Sequence, residues 1–155
     1  MIRSLLALAA ATVAVATASP ALADDRRADI EYFRRAGSPA PFSAAVRVGD
    51  VLYLSGQIGA SPEDGKVPPD IEGQTRLVMA NMQNALKLAG ASLDDVFKCT
   101  VMLADMSQWA RFNAVYVTYF KPDRLPARSA FGASGLALGA GVELECMAHM
   151  PEKRP

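Results

Sequence analysis

IEGQTRLVMANMQNALKLAG, residues Ile71–Gly90, is the stretch that decides the fold class. Ile71, Thr75, Val78, Met82, Ala85 and Ala89 recur at spacings of 4, 3, 4, 3 and 4. That is one face of an amphipathic α-helix, and Gly90 stands where a left-handed C-terminal cap belongs. A helix with one such stripe has to bury it, and the chain on either side supplies strands. Upstream, Ala44–Val48 and Val51–Ser55 are β-rich runs separated by Gly49-Asp50, which reads as a tight hairpin. Ile30, Tyr32 and Phe33 offer a short edge strand before the rigid Gly37–Pro41 loop, and Gly59–Pro69 is loop by its Pro, Gly and charges. Downstream, Val96–Ala104 reads as a strand. Asp105 or Ser107 then caps a second helix, striped by Trp109, Phe112, Tyr116 and Tyr119 and ended near Pro122. Ala127–Ala133 and Val142–Met150 are the last strands, divided by the glycine-rich Gly135–Gly141.

The order β-β-β-α-β-α-β-β lays two one-faced helices on the same side of one mixed sheet, an α+β architecture. The other sheet face carries Leu52 or Tyr53, Thr100, Met102 and Met147. Such a face is too apolar to meet water freely, so a homo-oligomer that packs these faces together is expected.

Composition removes several function classes. The chain has 155 residues, with 16 basic and 16 acidic side chains, which lacks the basic excess of an electrostatic nucleic-acid binder. One histidine and two cysteines cannot furnish a Cys/His zinc site, and a catalytic triad would have to use His149, next to the C-terminus. No G-x-S-x-G elbow occurs, and Gly135–Gly141 lacks the Lys-Ser/Thr of a phosphate loop. The N-terminus follows the grammar of a secretory signal peptide: Arg3, a 14-residue apolar run Leu5–Ala18, a Ser19-Pro20 break and an Ala21-Leu22-Ala23 cleavage site. The expectation is a signal peptide over 1–23, a single domain over 24–155 and a periplasmic or secreted location. Export would permit a disulfide between Cys99 and Cys146. Both lie in apolar strand runs where free cysteine is an ordinary core residue, so two buried thiols are expected.

Several segments, taken in order, resemble the Rid family, also called YjgF or reactive intermediate deaminases. They are Pro41-Phe42-Ser43, Leu52-Tyr53-Leu54-Ser55-Gly56-Gln57-Ile58, Gly90-Ala91-Ser92-Leu93-Asp94-Asp95-Val96, Phe112-Asn113-Ala114-Val115-Tyr116, Pro126-Ala127-Arg128-Ser129 and Val142-Glu143-Leu144-Glu145. The resemblance implies a chorismate-mutase-like mixed sheet with two helices on one face, assembled as a homotrimer with sites in the clefts between subunits. It also implies hydrolysis of 2-imino acids or their enamine tautomers to 2-oxo acids and ammonia, with no cofactor and no metal. The implied partners are a small 2-imino or 2-oxo acid and further copies of the chain, with no nucleic acid and no stable membrane association.

The residues themselves are compatible with that chemistry. Arg128 opens an otherwise apolar strand, and its planar fork can hold a carboxylate through two parallel hydrogen bonds. The alternative is a structural salt bridge to Glu143 or Glu145. Those two glutamates are two residues apart and share a sheet face, with Leu144, Cys146 and Ala148 facing the helices. The resemblance assigns the acidic role of orienting water and moving a proton to Glu143. It places Ser55, Gly56, Phe42, Ala130 and Asn113 beside the substrate. Ser55 also reads as a strand-end cap, and Asn113 as a structural side chain first. Two departures stand out. Phe42 replaces a tyrosine frequent in the family, removing a phenolic hydroxyl. Ala130 replaces a frequent cysteine, leaving only its backbone groups. A carboxylate receptor without turnover, or a structural or chaperone-like trimer, are the competing readings.

Overall fold

The structure, a computed structural model, describes residues 29–150; the expected signal peptide over 1–23 lies outside the described residues. The strands are β1 (Ile30–Phe33), β2 (Ala45–Val48), β3 (Val51–Leu54), β4 (Gln57–Ile58), β5 (Val96–Leu103), β6 (Ala127–Gly132) and β7 (Val142–His149). The helices are α1 (Ile71–Leu88) and α2 (Trp109–Tyr116). The sheet runs β1-β2-β3-β7-β5-β6, with β4 continuing beside β7. Among the described residues only β5 and β6 pair in parallel; the other pairings are antiparallel. The mixed α+β sheet with two helices is therefore as the sequence implied, apart from β4. That strand is only two residues long, too short to show an alternating pattern.

Local chemistry explains the elements. Gly49 adopts φ +57° in the β2–β3 turn, a left-handed backbone that glycine enters without steric cost. Asp70 caps α1 by accepting a 2.7 Å bond from the Gly73 N–H. Ile71, Thr75, Val78, Met82, Ala85 and Ala89 are all buried, as the spacing requires. Leu52, Val101, Leu103, Val142 and Leu144 project from the sheet against them and against Phe112 of α2. Burying each such large side chain stabilises the fold by about 1.5–3 kcal/mol. The buried polar side chains of α1 are hydrogen-bonded. Thr75 Oγ1 donates to Ile71 O, and Gln74 joins Pro68 O to the Gly141 N–H. A two-pronged Arg111–Glu72 pair, 2.7 Å on each prong, ties α2 to α1 at the surface.

Cys99 and Cys146 form a disulfide, which corrects the expectation of two buried thiols. They lie directly opposite each other on β5 and β7, and both side chains point to the helix-covered face. Register is a tertiary property, and nothing in either run of sequence signals it.

Alternation settles the ambiguity at positions 52 and 53. Leu52 is fully buried under the helices, whereas Tyr53 is 45% exposed on the opposite face. There it adjoins Met147, its partner on β7, and Val46, its partner on β2. Thr100, Met102 and Phe131 extend the same face toward β6. Among the described residues no layer covers it.

Candidate functional site

Each predicted site residue is held by a definite element. Ser55 follows β3, and its Oγ donates to Ser43 O at 2.8 Å while its N–H donates to Ala44 O. The hydroxyl thus fastens the strand end to the segment before β2. Gly56 comes next, and the Glu143 side chain lies directly over it. A Cβ on Gly56 would overlap Glu143 Oε1 and lie 3.0 Å from Cδ and 3.3 Å from Cγ. Glycine is required here for close approach, not for an unusual φ. Glu143 itself is half-buried on β7, opposite Ile58 of β4. The missed strand β4 is therefore what brings the Ser55-Gly56 corner against Glu143.

Beside this corner lies a cavity of about 320 Å³, walled by Phe42, Gly56, Gln57, Ile58, Asn81 and Leu138 and rimmed by Arg34 and Arg35. Phe42 is 56% exposed, so its ring is available to a ligand. Gln57 Nε2 donates to Ser55 O and Gly56 O, and Asn81 Nδ2 to Ile58 O and Ala60 O. These bonds fix the backbone of the corner from both sides. Leu138 takes φ +57° and is largely exposed.

Arg128 stands elsewhere. It lies on β6 opposite Cys99 and faces the helix side of the sheet. Its Cζ is 4.6 Å from the centroid of Trp109 and 4.7 Å from that of Tyr116. Its Nη1 is buried without a hydrogen-bond partner among the described residues, as are Asn113 Oδ1 and the Tyr116 hydroxyl. The salt bridge to Glu143 or Glu145 is not formed, and Asn113 Oδ1 accepts no bond from a neighbouring loop. Burial pushes the Tyr116 phenol up to about 12, although the adjacent Arg128 charge acts the other way. Ala130 lies two residues on, packed on the core. The Ala133 N–H donates to Leu103 O, so by strand alternation the N–H groups of Arg128 and Ala130 point to the open edge of β6.

The predicted residues therefore form two groups within one chain. Ser55, Gly56, Phe42 and Glu143 belong to the corner. Arg128, Ala130 and Asn113 belong to the sheet edge under α2. Arg128 faces the helices, and Glu143, two strands away, faces the bare side. Sequence reasoning missed the ring contacts to Arg128. Trp109, Asn113 and Tyr116 at i, i+4 and i+7 were its available signal, because an amide between two aromatics on one helix face departs from a purely apolar stripe. Among the described residues no cluster of His, Cys, Asp and Glu could hold a metal.

Fold and site define an α+β chain that carries an arginine set between two aromatic rings and a carboxylate on opposite sides of one sheet. The chain belongs to the Rid family: residues 34–150 match the family sequence model described as Endoribonuclease L-PSP. It is 41% identical over 109 residues to the chloroplastic Reactive Intermediate Deaminase A of Arabidopsis thaliana, spanning 70% of this chain but 58% of that protein. It is 39% identical over 109 residues to the 2-iminobutanoate/2-iminopropanoate deaminase of Mus musculus, spanning 70% of this chain and 80% of that one. A Rid protein of Yersinia pestis superposes with a TM-score of 0.73 at 34% identity, covering 79% of this chain and all of that one. TdcF of E. coli, solved with bound serine, gives 0.67 at 32% identity and covers 77% and 96% of the two chains.

Proposed function

We propose that copies of this chain assemble as a homotrimer through the bare sheet face and hydrolyse 2-imino acids to 2-oxo acids and ammonia. The site would take Arg128 from one copy and the Ser55-Gly56-Glu143 corner from the next. The observation that carries this reading is the Arg128 guanidinium, half-buried at a sheet edge with no acidic partner among the described residues. A buried fork of donors is a costly feature unless an anion completes it. The carboxylate of a 2-imino acid is such an anion. The names of relatives at about 40% identity support the deaminase reading.

The chemistry needs no further group. Arg128 anchors the carboxylate, and the outward N–H of Ala130 is available to the same end of the substrate. Glu143 accepts a proton from a water as its oxygen attacks the imine carbon. That proton is returned to the imine nitrogen, giving the carbinolamine; its hydroxyl proton then passes through Glu143 to nitrogen, the C–N bond breaks as the carbonyl forms, and ammonia leaves. General acid–base help of this kind contributes about 10²–10⁴-fold. The apolar wall of Phe42, Ile58 and Leu138 fits a small aliphatic side chain.

A carboxylate receptor without turnover is the second reading, favoured by Phe42, which brings no hydroxyl to the corner. Generating imines in situ with an amino-acid oxidase and following their decay decides between the two. Accelerated 2-oxo acid release supports the enzyme, and binding of 2-oxo acids without acceleration supports the receptor. We also propose that the chain acts outside the cytoplasm, on the pattern of residues 1–23 and the Cys99–Cys146 bond, which suits an oxidising compartment. Mass spectrometry of the exported protein tests this, and an intact Met1 in the cytosolic fraction refutes it.

A further inference from the structure

Two ring faces grip the Arg128 guanidinium, and among the described residues no carboxylate does. Trp109 and Tyr116 stand seven residues apart on α2, so their side chains share a helix face. Both ring centroids lie within 4.7 Å of Arg128 Cζ, inside the ~6 Å range of a cation–π attraction. The rings are themselves fixed. Trp109 and Tyr116 each pack on Phe112, at 5.8 and 5.4 Å between centroids, and Tyr116 packs on Phe120 at 5.0 Å. A salt bridge would orient the arginine by engaging its N–H groups. A π face orients the guanidinium plane and leaves those donors unengaged. The buried Tyr116 phenol stays neutral, since its pKa is pushed up to about 12, and so presents no competing anion.

We propose that Trp109 and Tyr116 are positioning residues: their ring faces fix the Arg128 fork and reserve its donors for the carboxylate of an incoming 2-oxo or 2-imino acid. The identity of that ligand rests on the deaminase reading above; the clamp itself rests on the ring geometry. It also provides a built-in reporter, because Trp109 is the one tryptophan of the chain.

The test uses the assembled protein with pyruvate as the probe. Pyruvate should change Trp109 emission saturably, and Arg128→Ala should abolish the change. Trp109→Leu should raise both the KM for imine and the inhibition constant of pyruvate by about tenfold, with kcat falling far less. Trp109→Phe, which keeps a π face, should recover most but not all of that loss. Tyr116→Leu should move in the same direction as Trp109→Leu. Melting temperature and assembly mass are recorded for each variant. If Trp109→Leu does not fold, the partial loss in Trp109→Phe and the emission titration decide the matter. Equal impairment by Phe and Leu at position 109, an unchanged KM in folded Trp109→Leu, or pyruvate binding without any emission change would each overturn the clamp. Imine hydrolysis with no effect of these variants refutes the clamp alone. Pyruvate-dependent emission without hydrolysis refutes the reaction and upholds the clamp.

Discussion

Reduction of the Cys99–Cys146 disulfide isolates one covalent contribution with little change in packing. The bond closes a loop with a sequence separation of 47 residues. In the chain-entropy treatment, a loop of that size restricts the unfolded state by about 4 kcal/mol at 25 °C, within the usual range for native disulfides. Both sulfurs are buried on the helix face, and the two thiols left by reduction are small hydrophobes that refill the same space. No cavity term therefore adds to the loss. For a domain of this size, such a loss lowers the melting temperature by about 10–15 °C. The assay is thermal unfolding by circular dichroism with and without reductant, at one fixed protomer concentration because assembly itself raises the midpoint. Mass spectrometry confirms reduction. An unchanged midpoint after confirmed reduction would refute the reasoning. So would two titratable thiols in denatured protein purified without reductant.

Two glycines near the site predict opposite outcomes for one substitution. Gly56→Ala places a methyl against the flexible end of Glu143. It should leave the fold intact while lowering kcat by about 100-fold through displacement of the carboxylate. Gly59→Ala meets the Gln74 backbone, O at 2.5 Å and Cα at 2.7 Å, and should cost about 1–3 kcal/mol of stability because a helix must shift. Parent-like turnover in Gly56→Ala, or a parent-like melting curve in Gly59→Ala, would contradict these assignments. Arg128→Ala should weaken 2-oxo acid binding at least ~30-fold, with poor rescue by Arg128→Lys because an ammonium lacks the fork; calorimetry with pyruvate checks this. Hydrogen bonds from Arg111 hold Glu72 below its usual 4.5, so the α1–α2 bridge is fully present above that value and lost as pH falls through the lowered one. The melting-temperature gap between the protein and Arg111→Ala should stay constant above about pH 5.5 and close in more acidic solution. A gap that widens in acid would contradict the linkage.

Periodicity made most of the architecture legible. The 4-3-4-3-4 spacing of α1 predicted its buried face, though not Met79 and Leu86 beside it, which are buried because the helix sits deep between sheet and α2. Alternation in β7 correctly separated Glu143 and Glu145 from Leu144 and Cys146. Pairing was not legible. Which residue opposes Cys99, and whether Gln57-Ile58 adds to β7, are set by register between segments more than forty residues apart in the chain. The site divides in the same way. Arg128, Glu143, Ser55 and Gly56 could be named from local pattern and resemblance. The separation of Arg128 from Glu143 depends on the register that sets Arg128 opposite Cys99 and Glu143 opposite Met102, positions of β5 on opposite faces, which no local pattern records.

That separation makes subunit complementation the most direct test of the account. Arg128→Ala and Glu143→Gln chains, each nearly inactive alone, are mixed in equal amounts, unfolded together and reassembled. If every site takes Arg128 from one copy and Glu143 from the next, random mixing makes one site in four intact. Imine hydrolysis should then recover to about a quarter of the parent rate per protomer. A reassembled mixture as inactive as its separate components would contradict a site shared between copies.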